Sequence, residues 1–459
     1  MSPPCQKISR RDFVRRAGTA ALGAAAASLA CSENPSAAAE QPPNILLINA
    51  DDLGMGDLSC YGGEIPTPNI DSLARQGLLF TDFYVSAPVC TPSRFSQLTG
   101  LMPQRSRHNL TTPLMPTSPQ DAERGLEPGE KTIAQVLRES FYATGLIGKW
   151  HLGHGNSRFL PTRHGFDYFY GFTPGCIDFF THRYRGEACF YRNEQFIEEE
   201  GYSTDLFTRE AVAFLVRNRN RPFYLNLAHN APHYGKANAP GAEANVLQAP
   251  EELIAGFDGP DADRNIYSAM VVSLDNGVGM VLEALERLGL SSNTLVIFTS
   301  DNGADPDYGG SNGAFRGEKA TLFEGGIRVP CLMRWPSAIE PGGTCSRPCS
   351  HLDFYETFSS LGGAPESRTK TEGLDLLPLI KDPDSECAER TLFWVYNSTA
   401  AIRQGKWKYL QSDGQEGGDR RQMLFDLSED PYEENDLAGD ETSLMESLKA
   451  TLDNFISVL

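Results

Sequence analysis

The stretch that decides the fold is "NILLINADD" at residues 44–52, an apolar run that ends in Asp51 and Asp52. A strand inside a parallel sheet has both faces covered, so its sequence is apolar throughout and does not alternate. We therefore predict that this stretch is a buried parallel strand. Its two carboxylates then lie at the carboxyl end of that strand.

Three further stretches have the same form and also end in polar side chains. They are "YATGLIGKWHLG" (142–153), "FYLNLAHNAPH" (223–233) and "TLVIFTSDNG" (294–303). Helical patterns lie at residues 69–76, 93–99, 133–140, 208–217 and 266–288. Strands that alternate with helices predict an α/β fold with a large, mostly parallel sheet flanked by helices. Ligands bind at the carboxyl ends of such strands, so we expect the polar groups to converge there.

The pattern changes near residue 364. Short strand-like segments at 391–397, 400–405, 406–411 and 422–427 precede a helical periodicity over 442–459. They predict a small C-terminal antiparallel sheet plus a helix. We therefore divide the chain into a polar linker (32–43), a main domain (44–364) and a C-terminal subdomain (365–459). The longest stretch without a pattern, 235–263, is a candidate functional loop or surface insertion.

Composition excludes some functions. The 459 residues include 40 Lys and Arg against 60 Asp and Glu, a net charge of -20, which argues against nucleic-acid binding through a basic surface. The ten cysteines form no CxxC pairs, so neither a zinc site nor a dense disulfide framework is indicated. Cys176 with Cys189, and Cys345 with Cys349, remain candidate disulfide pairs.

Residues 1–31 resemble a bacterial twin-arginine (Tat) export signal. Arg10 and Arg11 precede an apolar run that is too short to span a membrane. We expect export through the Tat machinery to the periplasm or the cell surface. The end of the run, up to Cys31, partly resembles a lipobox, although Ser28 stands where an apolar residue is usual. A cleaved signal and a lipoprotein anchored at Cys31 are both consistent with this sequence.

Two pairs of side chains with carboxylate or amide oxygens, each at a strand end, predict a metal site. Asp51 and Asp52 end one stretch, and Asp301 with Asn302 ends another. Carboxylate and amide oxygens suit a hard cation, Ca²⁺ or Mg²⁺, better than Zn²⁺.

The stretch "APVCTPSR" at residues 87–94 places Cys90 just before Thr-Pro-Ser-Arg. Pro92 can open a helix and Ser93 can cap it, so we predict a helix start with a thiol at its positive end. Cys90 can then be a buried structural thiol or a thiolate nucleophile. A thiolate nucleophile would leave the predicted metal site unexplained.

"CTPSR" matches the C-x-P-x-R signature of the type I sulfatases, and this chain resembles that family over residues 44–437. "ADD", "GKWHLG", "APH", "DNG" and "GEKATLFEGGIRVP" stand in the family's order. The resemblance implies an alkaline-phosphatase-like fold, a catalytic domain over 44–364 and sulfuric ester hydrolysis. It also implies that a maturation enzyme oxidises Cys90 to formylglycine, whose hydrated aldehyde supplies one hydroxyl to attack sulfur and another to expel sulfate.

The resemblance assigns roles to individual residues. The metal ligands would be Asp51, Asp52, Asp301, Asn302 and an oxygen of the modified Cys90. Arg94 would orient the hydrated aldehyde, Lys149 would bind sulfate, and His151 would remove the proton that lets sulfate leave. His233 and Lys319 would complete the sulfate site, and either of them can serve the leaving alcohol.

Residues 153–192 are rich in histidine, arginine and aromatic side chains, a composition suited to gripping a sulfated sugar. We predict that His182 and Arg183 bind substrate, with His229 as a weaker candidate. The expected substrate is a sulfated mono- or oligosaccharide, not a steroid. The alternatives are a phosphoester or phosphonate monoester hydrolase of the same superfamily, and a catalytically silent carbohydrate-binding relative.

Overall fold

The computed structural model describes residues 41–236, 244–364, 371–385, 389–412 and 421–459. The predicted export signal, Cys31, most of the linker and the start of the C-terminal subdomain at residue 365 lie outside these residues.

The strands of the described residues are numbered in chain order. They are β1 (Asn44–Asp51), β2 (Leu78–Phe80), β3 (Phe83–Tyr84), β4 (Ala143–Lys149), β5 (Tyr168–Phe172), β6 (Arg183–Tyr184), β7 (Glu187–Ala188), β8 (Phe190–Arg192), β9 (Gln195–Phe196), β10 (Phe223–Pro232), β11 (Gly235–Lys236), β12 (Asn245–Val246), β13 (Thr294–Ser300), β14 (Cys331–Arg334), β15 (Gly343–Cys345), β16 (Cys349–Ser350), β17 (Thr391–Tyr396), β18 (Thr399–Gln404), β19 (Trp407–Ser412) and β20 (Arg421–Asp426).

The α-helices of the described residues include all those that the sequence predicts, with ends shifted by a few residues. They are α1 (Pro68–Arg75), α2 (Cys90–Thr99), α3 (Ile133–Glu139), α4 (Ser203–Asn218), α5 (Glu251–Ile254), α6 (Ala262–Arg287), α7 (Glu324–Ile327), α8 (Asp353–Leu361), α9 (Leu377–Lys381) and α10 (Thr442–Ile456).

The main sheet has the strand order β15-β2-β14-β13-β1-β10-β4-β5-β8-β9 among the described strands. The pairs within β13-β1-β10-β4-β5 are parallel, whereas β14 and β8 pair antiparallel with the strands beside them. The four apolar stretches of the sequence form four adjacent strands, β13, β1, β10 and β4. The prediction of a large, mostly parallel sheet is confirmed.

Successive side chains of β1 enter two different cores. Ile45 and Leu47 belong to the apolar cluster that contains Phe354 of α8, whereas Leu46 and Ile48 belong to the cluster that contains Leu274 of α6. Side chains of a strand alternate between the faces of its sheet. Helices therefore cover both faces of β1, which is why its sequence is apolar without a break.

Helix α6 is the one helix among the described residues that is long and apolar enough to cross a membrane by length and composition. In the structure, 67% of its most apolar window is buried inside the protein. It packs along α4 and β10. We interpret α6 as a core helix of the main domain.

The C-terminal strands β17 to β20 form an antiparallel sheet with α10 on one face. Ile402 and Leu424 pack against Leu448 of α10. Trp394 and Phe425 belong to the main apolar cluster instead. The predicted small C-terminal sheet plus helix is confirmed, and it shares a core with the main sheet.

The structure gives all described cysteines as free thiols. Neither candidate pair, Cys176 with Cys189 or Cys345 with Cys349, is joined by a disulfide. The two thiols of the second pair interact: Cys349 lowers the pKa of Cys345, and Cys345 raises that of Cys349.

Candidate active site

The carboxyl ends of the four central strands carry the predicted site residues. Strand β1 ends at Asp51, and Asp52 follows it in a left-handed backbone conformation with φ of 63°. Strand β4 ends at Lys149, while His233 and Asp301 directly follow β10 and β13. All five side chains are buried. Parallel strands thus bring together residues that lie far apart in the sequence.

Asp51 and Asp301 are held by two cations. The Lys149 ammonium donates to Asp51 Oδ2 over 2.6 Å, and Arg94 Nε donates to Asp301 Oδ2 over 2.9 Å. Arg94 Nη1 also donates to the carbonyl of Lys149 over 3.2 Å. Burial and then repulsion from Asp301 raise the pKa of Asp51 to about 8, against the attraction of Lys149 and Arg94. Arg94 Nη2 also lies 3.8 Å from Asp51 Oδ1. Arg94 therefore links two of the predicted metal ligands to the strand that carries Lys149.

Asp52 is the centre of a second group of contacts. Lys319 Nζ donates to Asp52 Oδ2 over 2.5 Å, and Asn302 Nδ2 donates to Asp52 Oδ1 over 2.7 Å. His233 Nε2 lies 3.5 Å from the same carboxylate. Burial alone would raise the pKa of Asp52, but Lys319 and then His233 hold that pKa well below its usual range. Asp52 is therefore an anion that gathers Lys319, His233 and Asn302.

The oxygen atoms that this cluster offers as ligands fit a hard cation. Among the described residues, no hydrogen-bond donor reaches Asp51 Oδ1 or Asn302 Oδ1, although both oxygens are buried. One ligand atom each from Asp51, Asp52 and His233 lie within 4.8 Å of one another. Buried acceptor oxygens without donors are costly unless a cation satisfies them. The residues thus suit Ca²⁺ or Mg²⁺.

Cys90 is the first residue of α2, and 4% of its surface is exposed. The N-cap is Val89, so the expectation that Ser93 caps the helix is wrong; the Ser93 hydroxyl lies 3.4 Å from His351 Nδ1 instead. Burial raises the pKa of the Cys90 thiol, although Lys149 and Lys319 lower it in part. A thiolate nucleophile is therefore disfavoured at this position.

His151 lies two residues beyond the end of β4 and has a left-handed backbone with φ of 56°. The direction of its side chain is therefore not set by the alternation of strand β4. His151 Nε2 is 2.9 Å from the carbonyl of Leu114, and its Nδ1 has no hydrogen-bond partner among the described residues. Burial and then the Lys149 charge lower the pKa of His151 well below its usual value. The ring is consequently neutral near pH 7.

The structure corrects the predicted substrate contacts. His229 is fully buried near the Phe207 ring, and burial lowers its pKa to about 3. His182 is also buried, stacked on Phe190, with Nε2 3.0 Å from the carbonyl of Gly201. Neither ring is accessible to a substrate.

Arg183 is partly exposed but already engaged. It forms an ion pair with Glu198 and donates to the carbonyl of Gly186. These contacts favour a role in holding the β6–β7 hairpin.

Residues 153–192 supply much of the wall of a cavity of about 430 Å³. Pro174 of this wall precedes Gly175, where an added Cβ would lie 2.7 Å from the His151 ring. The other lining residues are Pro116, Thr117, His154, Thr173, Tyr184, Arg185, Glu187, Ala188, Cys189, Tyr191 and Phe196. The segment predicted to bind substrate lines this cavity through side chains other than His182 and Arg183. Its role in binding substrate stays a prediction.

Two features equip this wall for a polar, ring-shaped ligand. The buried nitrogens of His154 have no hydrogen-bond partner among the described residues. The rings of Tyr191 and Phe196 lie 4.3 Å apart, and 59% of Phe196 is exposed. The exposed Phe196 ring can stack against a sugar ring, and the same cavity carries polar side chains.

Tyr234 and Tyr308 also lie near the cluster and were not predicted from the sequence. The Tyr234 ring lies 4.1 Å from the His233 ring and 4.4 Å from the Tyr308 ring, and Lys319 Nζ is 5.6 Å from its centre. Tyr234 directly follows "APH" in the sequence, which was the available signal.

Comparison with known proteins gives consistent results over most of the chain. The family model described as Sulfatase matches residues 43–364, and the model described as N-sulphoglucosamine sulphohydrolase, C-terminal, matches residues 310–457. N-acetylgalactosamine-6-sulfatase of Canis lupus familiaris is 37% identical, covering 81% of this chain and 72% of that protein. Steryl-sulfatase of Mus musculus is 35% identical, covering 81% and 70%.

Solved structures are also similar to this chain over most of its length. The crystal structure of Ps i-CgsB in complex with k-i-k-neocarrahexaose has a TM-score of 0.81 and 32% identity, covering 90% of this chain and 93% of that one. The PsFucS1 sulfatase from Pseudoalteromonas sp. has a TM-score of 0.70 and 26% identity, covering 91% and 90%.

Proposed function

The chain belongs to the sulfatase family and is a sulfuric ester hydrolase, and on that premise we propose that it removes sulfate from carbohydrate by means of a formylglycine made from Cys90. The observation that carries the proposal is the position of Cys90. It begins α2 in a buried site that it shares with Lys149 and Lys319, beside the carboxylates of Asp51 and Asp301.

Two groups absent from the structure would supply part of the chemistry. A formylglycine at position 90 supplies a hydrated aldehyde whose hydroxyl is the nucleophile. A Ca²⁺ or Mg²⁺ held by oxygens of Asp51, Asp52, Asp301 and Asn302 supplies positive charge for a sulfate oxygen.

Three cationic side chains bind and orient the sulfate group. Lys149 and Lys319 hold sulfate oxygens by charge, and the guanidinium of Arg94 orients the nucleophile. Asp51, Asp301 and Asp52 fix these cations in place through the contacts described above. Preorganised charge of this kind stabilises the transition state without reorganisation at the moment of reaction.

His151 acts as the proton acceptor. The carbonyl of Leu114 can only accept a hydrogen bond, so His151 Nε2 carries the hydrogen and Nδ1 is left with a free lone pair. The lowered pKa keeps the ring neutral and able to take up a proton. The leaving alcohol takes its proton from the pair formed by His233 and Lys319, which both lie against Asp52.

The wall of the 430 Å³ cavity favours carbohydrate over steroid. Its wall combines the Tyr191 and Phe196 rings with the polar side chains of His154, Arg185 and Glu187. Charged groups in the wall would be desolvated by an apolar ring system, at a cost in binding. The names of two relatives, N-acetylgalactosamine-6-sulfatase and the protein complexed with k-i-k-neocarrahexaose, support the same substrate class.

Export is proposed on the twin-arginine motif alone. Replacing Arg10 and Arg11 by lysine together should retain the protein in the cytoplasm. Normal export of this variant would contradict the Tat assignment, and mass spectrometry of the exported protein would show whether Cys31 is its lipidated first residue.

The catalytic proposal is tested on protein purified from its native host. Mass spectrometry of the Cys90 peptide should show an aldehyde in place of the thiol, and Cys90→Ala should abolish hydrolysis of an aryl sulfate. An aryl phosphate serves as the control substrate and should be turned over far more slowly. Activity of Cys90→Ala within about tenfold of the unmutated enzyme would overturn the formylglycine assignment.

The substrate class is tested on the cavity wall. His154→Ala or Arg185→Ala should raise KM several-fold for a sulfated oligosaccharide and leave KM for an aryl sulfate nearly unchanged, because these side chains line the cavity proposed for the sugar. Arg183→Ala is the matched control and should change neither. Equal losses on both substrates would contradict the assignment of this cavity to the sugar.

A further inference from the structure

Residues 316–326, the Lys319 loop, bring Lys319 to Asp52. The backbone N–H of Lys319 donates to the carbonyl of Ala304 over 3.0 Å, and that of Ala320 donates to the carbonyl of Pro88 over 2.9 Å. The loop therefore touches both the segment after β13 and the segment before Cys90.

One residue of the C-terminal part of the chain, Glu433, contacts both ends of this loop, one through its backbone carbonyl and the other through its carboxylate. At one end, Arg316 Nη1 donates to the carbonyl oxygen of Glu433 over 2.9 Å. At the other end, the backbone N–H of Glu324 donates to Glu433 Oε2 over 2.7 Å. Glu433 is fully buried and has a left-handed backbone with φ of 60°, a conformation that non-glycine residues adopt rarely.

Lys408 of β19 completes the arrangement. Its ammonium lies 2.8 Å from Glu324 Oε1 and 2.8 Å from Glu433 Oε1, and all three side chains are fully buried. The Tyr84 hydroxyl donates to Glu324 Oε2 over 2.6 Å. Burial alone would raise the pKa of Glu324, but Lys408 and then Arg328 lower it to about 2. An ammonium between two buried carboxylates fixes their relative position, because removing any member leaves an uncompensated charge.

We propose that Glu433 and Lys408 are positioning residues for Lys319, so that the C-terminal sheet sets the geometry of the sulfate site. The proposal rests on the role given to Lys319 under the proposed function. The lysine side chain is long and flexible, so its backbone must be fixed if its ammonium is to meet both Asp52 and a sulfate oxygen. A misplacement of about 1 Å by a remote substitution can lower a rate about 100-fold.

The test is a double-mutant cycle on the full-length enzyme with an aryl sulfate. Glu433→Ala should lower kcat/KM by about tenfold or more in the otherwise unchanged enzyme, since the Glu324 N–H loses its acceptor and Lys319 is displaced. In the Lys319→Ala background the same substitution should have no further effect. Glu433→Gln keeps an oxygen for the Glu324 N–H and should recover most of the loss.

Two further variants separate positioning from a general loss of stability. Lys408→Met removes the ammonium that Glu324 and Glu433 share, so the two carboxylates repel each other and the loop should shift. The variant should show the same dependence on Lys319, and it replaces Glu433→Ala where that variant does not fold. Lys406→Met removes a half-exposed ion pair with Asp426 in the same sheet and should leave kcat/KM unchanged.

The outcomes are distinct. Equal losses in both backgrounds, or no loss in either, would overturn the positioning role. Full activity of Lys319→Ala alone would instead overturn the role of Lys319 itself, on which the proposal depends.

Discussion

At position 151, burial and the neighbouring Lys149 ammonium both disfavour a charged imidazole, and they lower the pKa of His151 well below 6.5. The neutral ring is the form that accepts a proton, and its population grows as pH rises through this pKa. We therefore expect the acid limb of kcat/KM against pH to lie below pH 6.5 for an aryl sulfate. An acid limb above pH 6.5 would contradict the assignment of His151 as proton acceptor.

Asn302 gives a prediction that does not depend on activity. Its buried Oδ1 has no donor among the described residues, so a cation that binds there should stabilise the folded protein. A ligand at about 100 times its Kd contributes about 2.7 kcal/mol. Ca²⁺ or Mg²⁺ should raise the midpoint of thermal unfolding, and chelation should lower it. Asn302→Ala should remove most of the difference between the midpoints measured with and without the cation. Asn265 lies in α6 and donates to the Gly259 carbonyl, and Asn265→Ala should keep the midpoint difference between the two conditions.

The Thr91 hydroxyl joins helix α2 to two neighbouring segments of the site. Thr91 Oγ1 donates to the carbonyl of His151 over 2.9 Å and accepts from the backbone N–H of Leu114 over 3.2 Å. Thr91→Val leaves two buried backbone groups unpaired, which should lower the free energy of unfolding by about 1–3 kcal/mol in a denaturant titration. Thr91→Ser keeps the hydroxyl and should lose much less. A similar loss in both variants would show that packing of the methyl group matters instead.

The elements that could be predicted from the sequence are those whose signal is repeated many times. Strand β1 is apolar at successive positions because both its faces are covered. The carboxyl ends of parallel strands share one edge of the sheet, so the charged residues at the end of β1 were expected beside those of its neighbours. The β6–β7 hairpin gave no such signal. Its turn, Arg185-Gly186, has positive φ at both positions, 53° and 87°. Asn or Asp usually marks the first of these positions, so the sequence did not show that Arg185, and not Arg183, faces the cavity.

For the whole molecule, buried histidines make stability depend on pH. Burial lowers the pKa of His164 to about 4 and those of His229 and His351 to about 3. Below pH 6.5 the unfolded chain binds protons that the folded protein excludes, so stability falls as pH falls. Each histidine contributes up to about 1.4 kcal/mol per pH unit between its two pKa values.

This loss of stability should appear as a midpoint of thermal unfolding that decreases as pH is lowered from 6.5 to 4. His351→Gln should reduce the slope of the free energy of unfolding against pH by the contribution of one proton. An unchanged slope in this variant would show that His351 does not exclude a proton in the folded protein.

The pairing of β1 with β13 joins Asn44 to Thr294, 250 positions apart in the chain. Contacts of such long range close only after large loops have been ordered, and this slows folding. During synthesis, one edge of β1 stays without its native neighbour until β13 has left the ribosome. The central sheet is therefore completed late, and chaperones that shield unpaired strands should raise the yield of soluble enzyme.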